Sequence, residues 1–304
     1  MNYTARILNF LKNPVKRTPL LFLNLFSYLF DDITYLKYKF YLRMGYNLNI
    51  DNPHTFSEKL QWLKLYNRKP EYTIMVDKYA VKDYVASEIG SEYIIPTIGV
   101  WDKVEDIDWD SLPNQFVLKT THGGGGGGVV VCKDKSTLNK QNAINRLKSS
   151  LAHDIYKDLR EWPYKNVSKR IIAEQYMVDS SGVELKDYKL FCFNGKVEFF
   201  KIDFDRFVGH KANYYDREKN LLPFGEVSSP PVPSKHLEIP DNLDQMFTLA
   251  EQLSKDIPFL RVDFYNINGK IYFGELTFFP ASGMGKFEPE EWDNKLGEKL
   301  NLPI

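Results

Sequence analysis

Six consecutive glycines, Gly123 to Gly128, stand between the run FVLK, which ends at Lys119, and the β-branched run Val129 to Val131. A stretch without side chains between two strand-like runs restricts the chain to a strand–loop–strand unit, because glycine is unfavourable inside regular elements and free to take any backbone angle in a loop. No helical pattern follows it. That excludes the G-x-x-x-x-G-K-[ST] phosphate loop and the G-x-G-x-x-G dinucleotide fingerprint, both of which open a helix. Two readings remain. One is a flexible hairpin tip or tether. The other is a mobile flap whose backbone N–H groups approach polyphosphate oxygens while Lys119 supplies a point charge.

The chain around this loop can bury a large core: 304 residues, 43% hydrophobic and 15% aromatic, a length that suits two structural domains or one large mixed unit. Forty basic and forty acidic residues cancel, so the overall charge does not point to nucleic acid. Cys132 and Cys192 lie far apart in strand-like segments, without metal-ligand or disulfide spacing, which fits a reducing cytoplasm. The apolar run PLLFLNLFSYLF, residues 19–30, is twelve residues long, whereas crossing a bilayer takes roughly twenty. Arg6, Lys12, Lys16 and Arg17 precede it, and no small-residue cleavage site follows. It reads as a helix packed on the body or as an amphipathic helix touching the inner face of a membrane.

Patterning gives a mixed α and β chain. Thr55-Phe56-Ser57-Glu58 has the form of a capping box, with Phe56, Leu60 and Leu63 at helical spacing behind it, so a helix is expected to about Tyr66. A second helix is expected from about Tyr72 to Ile89, carrying Asp77 and Lys78 and stopping at Gly90. The runs EYIIPTIGVW, NQFVLKTT, GVVVCK, RIIAEQYMV, DYKLFCFN and KVEFFKIDF read as strands. Helical stretches are expected from Leu138 to about Leu159 and after Asn242, where Leu243, Met246, Phe247, Ala250 and Leu253 share a face. Ser228 to Pro240, with four prolines, reads as an extended surface loop.

FLRVDFYNI and KIYFGELTFF flank Asn268-Gly269, a strong hairpin signal. Arg261, Asp263, Glu275 and Thr277 lie on these two strands. A two-residue turn sets Asp263 opposite Gly274 and sends Glu275 to the other face. With a three-residue turn, Ile267 to Gly269, Arg261 opposes Glu275 and the carboxylates cluster, Gly269 taking the left-handed position of a bulged turn. The cluster reads either as a Mg²⁺ site, since a phosphate-bound Mg²⁺ takes one or two protein carboxylates, or as a plain Arg261–Glu275 ion pair with Asp263 spare.

Taken in chain order, Lys78, FVLK with Lys119, the glycine flap, RIIAEQYM, RVDF and FGELTFFP resemble the ATP-grasp fold. NPHTFSEKLQWLKLY, LPNQFVLKTTH, REWPY, LKDYKLFCFNGK and GELTFFPASGMGKFEPEEW resemble more closely its TupA-like branch, associated with surface-polysaccharide biosynthesis. The resemblance implies an α+β architecture of two subdomains clamping ATP, about 96–175 and 176–304 within a domain 76–304, preceded by a helical region 1–75. It implies that Lys78 and Lys119 contact phosphates and that Gly123, Gly124, Gly125, Gly126, Gly127 and Gly128 form the flap. Glu174, Gln175, Tyr176 and Met177 would hold adenine, and Lys189 would add a basic group near the phosphates. Asp263 and Glu275 would bind Mg²⁺, with Arg261 near the transferring phosphoryl group. Thr277 departs from the pattern, which usually has Asn as a further ligand at that position.

The implied activity is that of an ATP- and Mg²⁺-dependent carboxylate–amine ligase acting through an acylphosphate. Its partners would be an acidic sugar or polysaccharide precursor and an amino acid or amine. Arg206, His210, Lys211 and Ser282 are candidate substrate contacts. Two rival readings stand beside it: a glycosyltransferase using the Asp203-Phe204-Asp205 tripeptide, and a catalytically degenerate ATP-binding assembly protein. His122 and His153, as lone histidines, read as packing or hydrogen-bonding residues.

Overall fold

The computed structural model describes residues 14–124, 127–178, 185–205, 209–235 and 237–303. Five helices come first: α1 (Pro14–Leu25), α2 (Asp32–Met44), α3 (Phe56–Tyr66), α4 (Glu71–Val76) and α5 (Ala80–Ile89). Strands β1 (Thr97–Trp101), β2 (Phe116–Thr120) and β3 (Val129–Cys132) follow, then α6 (Lys140–Leu151), α7 (Ile155–Leu159) and β4 (Ile171–Gln175). The remainder is β5 (Asp187–Phe193), β6 (Lys196–Phe204), β7 (Lys211–Asp216), β8 (Gly225–Glu226), α8 (Leu243–Leu253), β9 (Phe259–Ile267), β10 (Lys270–Thr277), β11 (Phe287–Glu288) and α9 (Glu291–Lys299).

Helix α3 begins as its sequence predicts. Thr55 accepts from the Glu58 N–H and Glu58 returns to the Thr55 N–H, a reciprocal cap worth about 1 kcal/mol. Leu60 and Leu63 then enter the core, and α9 packs so closely that a side chain on Gly297 would overlap His54 O. The single helix expected from Tyr72 to Ile89 is instead two. Asp77 leaves helical geometry at φ −75°, ψ 111°, and its Oδ1 accepts from the Tyr79 and Ala80 N–H groups, starting α5 afresh. Apolar periodicity continues across the break, so spacing alone does not reveal it. The stretch expected from Leu138 to Leu159 likewise divides, with Asp154 capping α7 through the Lys157 N–H.

Two antiparallel sheets carry the rest, one ordered β1-β4-β2-β3 and the other β10-β9-β5-β6-β7. In the first, β2 and β3 are the strands flanking the glycine run, and Ala143 and Leu147 of α6 pack against Phe116, Leu118 and Val130. In the second, Leu190, Phe200, Ile202, Val262 and Phe264 join Met246, Phe247 and Ala250 of α8 in the main core. The two-residue period of a strand therefore turns Lys189, Lys201, Arg261 and Asp263 to the opposite face. That face meets the first sheet across a crevice. Cys132 and Cys192 are buried free thiols in strands, and burial pushes the Cys192 thiol up to about 12.

Candidate nucleotide and metal site

One wall of the crevice is cationic. Lys119, at the end of β2, lies 2.6 Å from Glu174 Oε2, and Lys82 of α5 lies 2.5 Å from Glu174 Oε1. Burial works against the Glu174 charge, but Lys119 and Lys82 outweigh it and hold the carboxyl below its usual range. Lys78 sits in the break between α4 and α5 rather than on a helix. Its N–H donates to Thr121 O at 2.9 Å, which ties it to the foot of the glycine loop, and its Nζ reaches to 3.6 Å from Glu275 Oε2. The crevice between these lysines and the second sheet is lined also by Ile94, Ile95 and Phe273. Apolar and cationic surfaces thus share one cleft, as a base attached to phosphates requires.

The glycine loop is pinned at both ends. Gly123 N–H donates to Thr120 O, and Thr120 N–H donates to Gly128 O at 3.2 Å. A side chain at Gly123 would overlap Thr120 Oγ1, and one at Gly128 would overlap both Thr120 Oγ1 and Ser150 Oγ, which stand 2.7 Å apart. Gly127 has nothing within 4 Å of where a Cβ would stand. Gly125 and Gly126 lie outside the described residues. His122 is buried, its Nε2 3.1 Å from Ser150 O, and burial lowers its pKa; it is a packing residue. His153 stands 3.5 Å from Asp158.

The hairpin clusters its charged residues by a device that neither turn length alone supplies. Asn268 (φ 53°) and Gly269 (φ 82°) form a two-residue turn with Ile267 opposite Lys270, not the three-residue turn that clustering seemed to need. The register then shifts between Phe273 and Glu275. Gly274 is the extra residue of a bulge, close enough that a Cβ would lie 3.0 Å from Asp263 O. Past it, Asp263 faces Glu275 and Arg261 faces Thr277. A glycine inside a strand is a recognised mark of a bulge, so Gly274 was the legible signal.

Arg261 is the hub of this cluster. Its Nε and Nη2 donate to Asp263 at 2.7 and 2.8 Å, and Nη2 also reaches Glu275 Oε1 at 2.9 Å and Thr277 Oγ1 at 3.0 Å. Burial opposes the guanidinium charge, yet Asp263 and Glu275 raise its pKa above the ordinary arginine value. Lys189 lies 2.5 Å from Asp263 and within ion-pair reach of Asp187 and Asp203. Burial also opposes the Glu275 charge, but Lys78 and Arg261 outweigh it and bring the pKa down to about 2.

Among the described residues, no group of three or more His, Cys, Asp and Glu side chains is arranged to hold a metal. The pair Asp263 and Glu275 nonetheless fits Mg²⁺ bound with a polyphosphate, which takes only one or two carboxylates from the protein. Glu275 is the open member, its side chain 40% exposed, while Asp263 is buried against Arg261 and Lys189. Thr277 Oγ1 is engaged with Arg261 and lies 3.4 Å from Glu275 Oε1, so the hydroxyl orients these two side chains.

The other predicted residues fall around this centre. Beyond Glu174, Gln175 donates its N–H to Pro96 O, and Tyr176 and Met177 continue past the end of β4. His210 Nε2 lies 3.2 Å from Asp203 Oδ1, which joins it to the Lys189 network, and half-buried Lys211 opens β7. Arg206 lies outside the described residues. Ser282 is turned inward: Lys64 Nζ donates to its Oγ and its carbonyl, each at 2.8 Å. Asp203 and Asp205 do not converge, since Asp203 faces Lys189, Lys201 and His210 while Asp205 pairs with Lys235 at 2.8 Å. Sequence reasoning missed Lys82, Lys201 and Glu226, and read Asp203 only as part of the rival Asp203-Phe204-Asp205 tripeptide. Lys201 meets Asp203, two residues along the same strand β6, at 3.4 Å and Glu226 of β8 at 3.2 Å; the second of these joins separate sheets, a contact that linear spacing does not report.

Comparison with known proteins bears on this geometry. The family model described as TupA-like ATPgrasp matches residues 58–301. No curated protein matches the chain. Among solved structures, the chain is similar to a D-alanine–D-alanine ligase from Bacillus anthracis complexed with ATP, at 16% identity and TM-score 0.37, covering 67% of this chain and 54% of that one. A D-alanine–D-alanine ligase from Helicobacter pylori gives 14% identity and TM-score 0.42, covering 82% and 71%. Phosphoribosylamine–glycine ligase from Thermotoga maritima gives 14% and 0.39, covering 68% and 48%. The chain thus spans about half the length of the first of these ligases. With four-fifths of its sequence matched by the family model and two antiparallel sheets facing each other across a lysine-lined cleft, the chain belongs to the TupA-like ATP-grasp family.

Proposed function

We propose that this protein is an ATP- and Mg²⁺-dependent carboxylate–amine ligase that joins an amino acid or amine to an acidic sugar of a surface polysaccharide or its precursor. One observation carries the reading: the two walls of the crevice have opposite needs. Among the described residues, Lys78, Lys82 and Lys119 share the carboxylate of Glu174 and the edge of Glu275, leaving cation to spare. On the opposite wall, among the described residues, Arg261, Lys189 and Lys201 are each shared between two or more of Asp187, Asp203, Asp263, Glu226 and Glu275. A polyphosphate carrying a divalent cation satisfies both walls. The polysaccharide setting rests on the family resemblance.

In this reading an oxygen of the substrate carboxylate attacks the γ-phosphorus of ATP, and the bond from that phosphorus to the ADP oxygen breaks. The amine nitrogen then attacks the acyl carbon, expelling inorganic phosphate and releasing a proton. Lys78 and Lys119 bind phosphate oxygens, with Lys78 leaving Glu275 to do so, while the glycine loop covers them with backbone N–H groups. Arg261, oriented by Asp263 and Thr277, neutralises the transferring group. Asp263 and Glu275 would hold Mg²⁺, which when bound supplies Lewis-acid neutralisation of phosphate charge. No protein nucleophile is required.

The test is ADP release from Mg²⁺–ATP with a panel of uronic-acid sugars and amino acids, with hydroxylamine as a trap. Release that needs an acid, and gives a hydroxamate when hydroxylamine replaces the amine, supports the acylphosphate route. Transfer of sugar from a nucleotide sugar, without ADP release from ATP, would replace it with the transferase reading.

A further inference from the structure

Helix α1 is inside-out. On a surface helix the apolar stripe normally faces the protein and the polar residues face water. Here Asn24 faces inward, its Oδ1 accepting from Tyr35 Oη at 2.8 Å and from Lys39 Nζ at 3.1 Å, and Ser27 just beyond the helix is wholly buried. Among the described side chains of this helix, Leu23 is the buried apolar one. Facing outward are Phe22, Leu25, Tyr28 and Leu29, exposed by 60, 68, 71 and 65%, with Leu21 beside them. The rings of Phe22 and Phe26 meet at a tilt with centroids 4.4 Å apart, and Tyr38 of α2 extends the patch through Phe30 at 6.0 Å.

Isolated exposed apolar residues are ordinary, but a contiguous aromatic and leucine face is not. Its charge context indicates what covers it. Arg6, Lys12, Lys16 and Arg17 precede the patch, and no Asp or Glu occurs before Asp31; Lys37 and Arg43 are exposed on α2. Basic residues flanking a Phe, Tyr and Leu face are the pattern of a helix lying in the headgroup layer of an anionic bilayer. The geometry points to a peripheral membrane-docking surface: α1 and the turn after it lay Phe22, Leu25, Tyr28 and Leu29 into an anionic lipid surface. Among the described residues no helix is long and apolar enough to cross a membrane, so the contact lies in the plane of the surface. This inference is independent of the ligase reading.

The test is flotation of the full chain with phosphatidylcholine vesicles, with and without phosphatidylglycerol, for the wild type and for a variant carrying Phe22→Ser, Leu25→Ser and Leu29→Ser. The wild type is expected to float with the phosphatidylglycerol vesicles, and the variant to bind about tenfold more weakly or less. Going from about 0.1 to 1 M salt, which shortens the Debye length from about 10 to 3 Å, should weaken binding as well. An unchanged unfolding midpoint in the variant would show that folding is not the cause. Three results would overturn the inference: no flotation of the wild type at low salt, equal flotation of wild type and variant, or a homodimer by light scattering that the substitutions dissolve while vesicles are ignored. Equal binding to neutral vesicles would overturn the commitment to an anionic surface.

Discussion

The two walls of the crevice use charge in different ways. On the four-stranded side, Lys119 and Lys82 meet on one carboxylate, Glu174, and Thr120 pins Gly123 and Gly128 of the neighbouring glycine loop. On the five-stranded side, Arg261 joins Asp263, Glu275 and Thr277, and Lys189 and Lys201 extend the chain of contacts across three more strands. Removing one member of a buried, mutually satisfied network strands its partners in low dielectric, whereas a partly exposed lysine with a shared partner can leave at little cost. The hairpin wall thus holds a fixed geometry, and the lysine wall holds cations ready for exchange.

The largest expected effect breaks the fixed wall. Arg261→Met leaves buried Asp263 paired with Lys189 among the described residues, and stability should fall by about 3–5 kcal/mol in denaturant unfolding. A loss under about 1 kcal/mol would mean the hub is not what holds the wall. Lys119→Met is the counterpart. Glu174 keeps Lys82, so stability should drop by only about 1 kcal/mol, while Mg²⁺–ATP affinity falls about 10- to 100-fold for the lost charge-assisted contact.

Glycine substitutions sharpen the contrast further. Gly274→Ala sets a Cβ 3.0 Å from Asp263 O and should cost about 1–3 kcal/mol through overpacking at the bulge. Gly127→Ala, where a Cβ meets nothing within 4 Å, should change stability by less than about 0.5 kcal/mol. Comparable melting temperatures for the two variants would argue that the bulge does not set the register.

A pH-dependent effect lies outside both walls, on helices α2 and α3. Burial, against the pull of Asp158, pushes Lys39 down to about 8, and burial, against Glu161, pushes Lys64 down to about 7. A lysine lowered in the folded state is protonated more readily when unfolded. Stability should therefore rise with pH between about 8 and the ordinary lysine value of about 10.4, by on the order of 1 kcal/mol per pH unit for each group. Lys39→Met should remove about half of that rise in unfolding measured at successive pH values.

Much of this site is legible in the sequence because its parts lie within single strands. Lys119 before the glycine run, and the alternating pairs Arg261/Asp263 and Glu275/Thr277, need only a period of two to be read. What the sequence hides depends on relations between elements. The break at Asp77 follows from a side chain capping the next helix, with no proline or glycine to announce it, and it changes Lys78 from a helix residue into one tied to the flap. The meeting of Asp263 with Glu275 depends on one extra residue at Gly274. Ser282, a candidate substrate contact by its sequence, is drawn inward by a buried lysine more than two hundred positions earlier.

The most direct test of the account is calorimetric titration with Mg²⁺–ATP and with a set of nucleotide sugars, on the wild type and on the Asp263→Ala, Glu275→Ala double variant. The account predicts selective binding of Mg²⁺–ATP that weakens in the double variant and loses its Mg²⁺ dependence there. Selective binding of a nucleotide sugar, or Mg²⁺–ATP binding indifferent to the two carboxylates, would contradict it.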